Sequence, residues 1–118
     1  MVLDDMGMVK PPMEFLIHSI DYMEYTGTND WQEPEYANPI TIDNVRVDIG
    51  SQYSASTSGK QLLYNALIFV YDGLSSPMVD FKTESKILFK GKELVITDVT
   101  PVYEAYEDRL YAVELEVV

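Results

Sequence analysis

Cysteine is absent from this chain. Its absence excludes a disulfide scaffold, a thiolate metal site and a cysteine nucleophile. Histidine occurs once, as His18, in the same phase as Leu16 and Ile20. A single imidazole on an apolar face reads as a satisfied structural residue, and no second base is at hand for Ser–His chemistry. Basic residues are scarce: eight Lys and Arg stand against twenty Asp and Glu, a formal net charge of −12. Nucleic-acid phosphates demand Lys and Arg, so sequence-specific DNA or RNA binding is not expected. Long apolar runs are missing too. The longest, Ala66 to Tyr71, falls far short of the ~20 residues of a membrane helix, and no membrane partner is expected. Residues 1–13 carry Asp4 and Asp5 where a signal peptide would have a basic start, so none is expected.

Phosphate and metal motifs are also lacking. Gly50 to Gly59 is Ser-rich but has neither the Lys-Ser/Thr ending nor the following helix of a phosphate loop. The acidic pairs Asp4-Asp5 and Glu107-Asp108 lack the spacing of a calcium loop. Paired-carboxylate hydrolysis stays open as a weak third reading, although 118 residues leave little cleft for a sugar polymer. No catalytic residue, cofactor site or metal site is therefore expected.

What the chain does contain is strand pattern. Tyr111, Val113, Leu115 and Val117 alternate with Ala112, Glu114 and Glu116, the period-2 signature of a half-buried strand. Further strands are expected at Phe15–Tyr25, Ile40–Asp48, Gln61–Tyr71, Lys86–Lys90 and Glu93–Thr100. In the first, Leu16, His18, Ile20 and Tyr22 share one face, and Phe15, Ile17, Ser19 and Met23 share the other, with parts of both covered. In the second, Ile40 and Ile42 fall out of phase with Val45 and Val47, which predicts a bulge or bend at Asp43-Asn44. Gly91-Lys92 can supply a two-residue hairpin turn, and Pro101 is expected to stop the fifth strand.

The fold class that follows is all-β or mainly β. It is a small antiparallel barrel or sandwich of about six strands with long flexible loops. Ser75 to Ser85 has room for one short helix. Residues 1–12, Met-rich and ending in Pro11-Pro12, read as a flexible arm before a single β-barrel domain at 13–118.

Three segments stand out as candidate contact sites. Gly27 to Pro39 reads as a polar loop holding Trp31, which either folds back over the core or anchors a partner. The segment with Tyr53, Ser54, Ser56, Thr57, Ser58 and Lys60 reads as a flexible exposed loop. The third is basic. Residues 1–50 hold ten acids and two bases, whereas Lys82, Lys86, Lys90 and Lys92 cluster in the balanced middle of the chain. Those lysines either protect a solvated edge strand or meet an acidic patch on a neighbouring subunit.

The C-terminal block carries a resemblance. Lys86-Ile87-Leu88-Phe89-Lys90-Gly91-Lys92-Glu93-Leu94-Val95-Ile96, then Val99, Pro101-Val102-Tyr103 and Tyr111 to Val117, resemble minor capsid or head–tail connector proteins of tailed phages infecting Gram-positive bacteria. Ala66 to Val70 ahead of Ser76-Pro77, and the aromatic stretch Tyr22 to Tyr36, are similar as well. The resemblance implies a non-enzymatic virion protein in the neck, present in the host cytoplasm before assembly. It implies a homo-oligomeric ring between a portal or adaptor protein and a tail-completion protein, with DNA passing through and no sequence-specific grip on it. It also implies a loop reaching the channel, for which the Ser-rich segment is the best match in character. The alternative is a soluble β-barrel adaptor module that binds protein partners.

Overall fold

The computed structural model describes the backbone of residues 2–3, 9–56 and 59–118, with side chains for 10–50, 59 and 65–118. Ten strands alternate with turns in chain order: β1 (Val2–Leu3), β2 (Val9–Lys10), β3 (His18–Met23), β4 (Tyr25–Thr28), β5 (Pro34–Tyr36), β6 (Ile40–Ser56), β7 (Gly59–Tyr71), β8 (Lys86–Phe89), β9 (Lys92–Tyr103) and β10 (Leu110–Val117). Six of them close an antiparallel barrel in the order β10-β7-β6-β3-β8-β9. Closure settles barrel over sandwich. It also removes the sheet edges that a small β-protein must otherwise protect.

The barrel is filled by the inward residues of each strand, as a small barrel must be. Ile20 and Tyr22 from β3, Ile42, Val45 and Val47 from β6, and Ile68 and Val70 from β7 are all buried. Ile87, Phe89, Leu94, Ile96, Val113, Leu115 and Val117 complete the cluster from β8, β9 and β10. The alternation expected for β10 is met at Val113, Leu115 and Val117. The apolar face expected for β3 is met at Leu16, Ile20 and Tyr22. The other face is covered only in part: Met23 is half-buried and Ser19 exposed, and ahead of the strand Phe15 is 56% and Ile17 68% exposed.

The bulge expected at Asp43-Asn44 is present. β3 pairs β6 as His18↔Val45 and then Ile20↔Ile42, so β6 spends one extra residue there. Asn44 absorbs it in the left-handed region at φ 59°, a conformation that Asn tolerates better than most residues. The extra residue resets the phase, which is why Ile42 and Val45 both point inward.

Several expectations need correction. The Ser-rich segment is not a loop. Tyr53, Ser54 and Ser56 lie on β6 and Lys60 on β7, paired as Tyr53↔Leu62, Ser54↔Gln61, Ala55↔Lys60 and Ser56↔Gly59; Thr57 and Ser58 lie outside the described residues. The ladder begun in the barrel continues outward, and a continuing ladder needs no apolar face to propagate. Gly27 to Pro39 likewise holds structure, the small β4–β5 hairpin. No helix forms between Ser75 and Ser85. Instead the Asp43 and Ser76 backbones exchange hydrogen bonds at 2.9 and 3.2 Å, which holds the chain extended on its way to the buried Phe81. The one helical turn among the described residues is a 3-10 turn at Met13–Phe15.

Pro101 does not stop β9, which runs on to Tyr103. β8 pairs only Lys92 to Val95 of β9, so around Pro101 the strand has β10 on one side alone, and a missing N–H on the other side costs no ladder bond. The two-residue turn sits one position earlier than expected. Phe89 pairs with Lys92, and Lys90 and Gly91 take φ 49° and 79°, the double left-handed geometry of the type I′ hairpin. β8 is paired with β3 as well as β9, so Lys86, the one lysine on it, does not lie on an edge strand. Of the expected N-terminal arm, Val2–Leu3 pair with Val9–Lys10. Lys10 is buried, and its ammonium donates to the Asp72 carbonyl at 2.7 Å.

Candidate functional site

Among the described residues no group of three or more His, Cys, Asp or Glu side chains could hold a metal ion. No helix among them is long and apolar enough to cross a membrane. His18 is structurally engaged. The Val47 N–H donates to its Nδ1 at 3.0 Å, and its ring stands edge-on to Phe89 at 5.1 Å. Burial lowers its pKa from the ordinary 6.5, and the Lys90 and Arg46 charges lower it further. A neutral ring accepting a backbone N–H is a strut between β3 and β6. The described residues offer a set of surfaces.

The first is the β4–β5 hairpin, which presents Trp31. Its tip is closed by a side-chain turn: the Asn29 Oδ1 accepts from the Trp31 N–H at 2.9 Å and from the Glu33 N–H at 3.0 Å. Asn is suited to this because its short amide mimics a backbone carbonyl. At the base, the Tyr25 and Tyr36 rings meet edge to face at 6.1 Å, and the Lys86 ammonium lies 4.6 Å from the Tyr36 ring centroid. Trp31 itself is 81% exposed. It does not fold back over the core, so of the two roles left open for it only the outward one has geometry.

The second surface is a ribbon. β3 pairs β6 only as far as Val45, and β10 pairs β7 only as far as Ala66. Beyond Ile49↔Ala66, β6 and β7 pair only with each other among the described strands, down to Ser56↔Gly59. At ~3.3 Å per residue the ribbon reaches roughly 20 Å past the barrel rim. Tyr53, Ser54, Ser56 and Lys60 are on it.

The third group, the lysines, is divided by the fold. Lys82 pairs with Glu24 at 3.0 Å and Lys86 with Glu93 at 3.7 Å, and the Glu24 contact raises the Lys82 pKa. Both stand toward the β4–β5 end of the barrel. Lys90 lies in the opposite turn and Lys92 follows it, and neither makes an ion pair among the described residues. The sequence made these four look like one patch because it cannot display the carboxylates that come from β4's approach and from β9.

A fourth surface was not foreseen. A cleft of about 260 Å³ opens where β9 outruns β8. Phe81, Val79, Val99 and Val113 wall it, and Asp80, Pro101 and Tyr103 form its mouth. The signal available in the sequence is Phe81, a lone aromatic in the Ser75–Ser85 stretch that has room for a short helix.

Comparison with known proteins narrows the meaning of these surfaces. The sequence model of a family described as "Minor capsid protein" matches residues 12–117. A protein of Lactococcus phage LL-H, described as "Uncharacterized protein ORF5", is 29% identical over 75 residues, covering 61% of this chain. The match spans 64% of that phage protein's length. No solved structure matches the chain.

Proposed function

The chain belongs to the minor capsid protein family of phages, and from that premise we propose that it serves as a ring-forming connector in the virion neck. In this reading it assembles after synthesis in the host cytoplasm. It sits between a portal or adaptor protein and a tail-completion protein, and helps retain or gate the packaged DNA. The observation that carries the reading is the β6–β7 ribbon, a two-stranded projection built from barrel strands and reaching beyond the rim. Copies arranged in a ring with ribbons inward would narrow a central channel.

Electrostatics supports the same assignment. A net charge of −12 repels phosphate, so a wall of such chains lets duplex DNA slide without gripping it. Trp31 suits docking to a neighbouring neck protein. It is large, exposed and held by a rigid turn, so little conformational entropy is lost when it is buried.

The test uses phage heads assembled without this protein and complemented with variants. Heads lacking it are expected to lose packaged DNA and fail to join tails. Complementation with a chain whose ribbon is shortened between Tyr53 and Leu62 is expected to restore incorporation but not DNA retention. Trp31→Ala is expected to lower incorporation with unchanged thermal stability. Heads that keep their genome and join tails without the protein would refute the connector role.

A further inference from the structure

The cleft and the uncommitted lysines have matching chemistry. Of the eight Lys and Arg of the chain, Arg46, Lys82, Lys86 and Arg109 are held by carboxylates of the same chain. Lys10 is buried on the Asp72 carbonyl, and the side chain of Lys60 lies outside the described residues. Among the described residues, the exposed cations with no carboxylate partner are Lys90, whose ammonium lies 5.3 Å from the Phe89 ring centroid, and Lys92. Beside Lys92, sharing one small surface depression with it, stands Ile49. At 77% exposure it is the most exposed aliphatic side chain among the described residues. An apolar knob with adjoining positive charge is what a cleft lined by valines and Phe81 with the exposed Asp80 at its mouth would take.

We propose that the cleft mouthed by Asp80 and Tyr103 receives the Ile49–Lys92 corner of a second copy of this chain. The two surfaces cannot meet within one molecule. Ile49 pairs with Ala66, Ala66 with Val117, and Tyr103 with Leu110. The knob and Tyr103 at the cleft mouth are thus separated by the length of β10, roughly 20 Å at ~3.3 Å per residue. A contact between two different patches of identical chains is heterologous and propagates head to tail, closing into a ring when its rotation allows. Two aromatic side chains are as exposed, Trp31 at 81% and Tyr106 at 83%, but Asp30 and Glu33 flank Trp31 and Glu107 and Asp108 follow Tyr106 in sequence, and Asp80 would repel them. Exposed Phe15 and Ile17 have no Lys or Arg next to them in sequence to answer Asp80. The contact rests on the ring reading above and specifies which faces form the ring.

The cysteine-free background supplies the test. A chain carrying Ile49→Cys and Tyr103→Cys, treated with a short thiol cross-linker, is expected to give a ladder of covalent multimers. The measurement is made on assembled heads and on the concentrated purified protein. Either single cysteine should give dimers at most. Asp80→Lys should lower ladder yield roughly tenfold or more, and adding Lys90→Asp and Lys92→Asp to it should restore the ladder. Protein that is present in heads but gives only monomer in both settings would overturn this contact while leaving the connector role standing. Protein absent from heads but forming the ladder in solution would do the reverse.

Discussion

Tyr22 ties the barrel to the segment that walls the cleft, and replacing it with Phe isolates that tie. The ring is buried on β3 at 2% exposure, so Tyr22→Phe leaves the packing against Phe81, edge to face at 5.0 Å, in place. What it removes is one oxygen with two partners. The Lys82 N–H donates to that oxygen at 3.0 Å, and the Ser85 hydroxyl lies 3.3 Å from it. Ser85 is fully buried and also accepts from the Tyr25 N–H at 2.9 Å, so it keeps one partner. The Lys82 amide keeps none of those described. A part-buried donor left without an acceptor costs ~1–2 kcal/mol, and for a chain of this size that is a fall in Tm of roughly 3–10 °C. Urea titration should therefore show a lower midpoint with an unchanged slope, because the surface exposed on unfolding is the same. Hydrogen exchange gives the specific readout. The Lys82 amide should exchange faster in Tyr22→Phe than loss of global stability alone explains, while the β10 amides slow or quicken only with global stability. If the midpoint moves by less than ~0.3 kcal/mol and Lys82 stays protected, the tie is not made through this oxygen.

Three further outcomes follow from positions already described. Because the folded His18 binds a proton less readily than the unfolded 6.5, its contribution is complete above that pH and is lost as pH falls toward the lowered folded value. His18→Asn, whose amide oxygen can still accept from Val47, should gain on the parent chain below pH 6.5 in thermal melts; parallel curves would refute this. Gly91→Ala should cost ~1 kcal/mol although its Cβ meets open space, since φ 79° is strained for any L side chain. Gly50→Ala, with open space and no such φ, should cost nothing measurable. Leu115→Ala, fully buried at the middle of β10, should cost ~2–5 kcal/mol, whereas Ile49→Ala should leave stability unchanged.

The barrel strands were legible because burial on one face imposes period 2 on the sequence, and β10 and β3 obey it. Even the β6 bulge could be read, since Ile42 and Val45 break the period by one. The ribbon was not legible. Its partner strand supplies the backbone bonds, so Ser54 and Ser56 need no apolar alternation, and a polar Gly-flanked stretch looks the same whether paired or free. Pro101 misled for a related reason. A proline stops a strand only where its missing N–H faces a neighbour, and which side is vacant depends on β8 ending early. The Trp31 hairpin looks like a loop in sequence because its tip is ordered by the Asn29 side chain. The cleft could not be seen at all, since it exists only where strands of unequal length come together.

Because β6 and β7 are at once barrel staves and ribbon rails, the reach of the projection is set by chain length alone. An insertion of one residue on each rail extends it by ~3.3 Å but turns every outer side chain to the opposite face. An insertion of two on each rail extends it by ~7 Å and keeps the faces. The reach of the projection can therefore change in discrete increments, by paired insertions near the tip, without altering a single contact in the barrel.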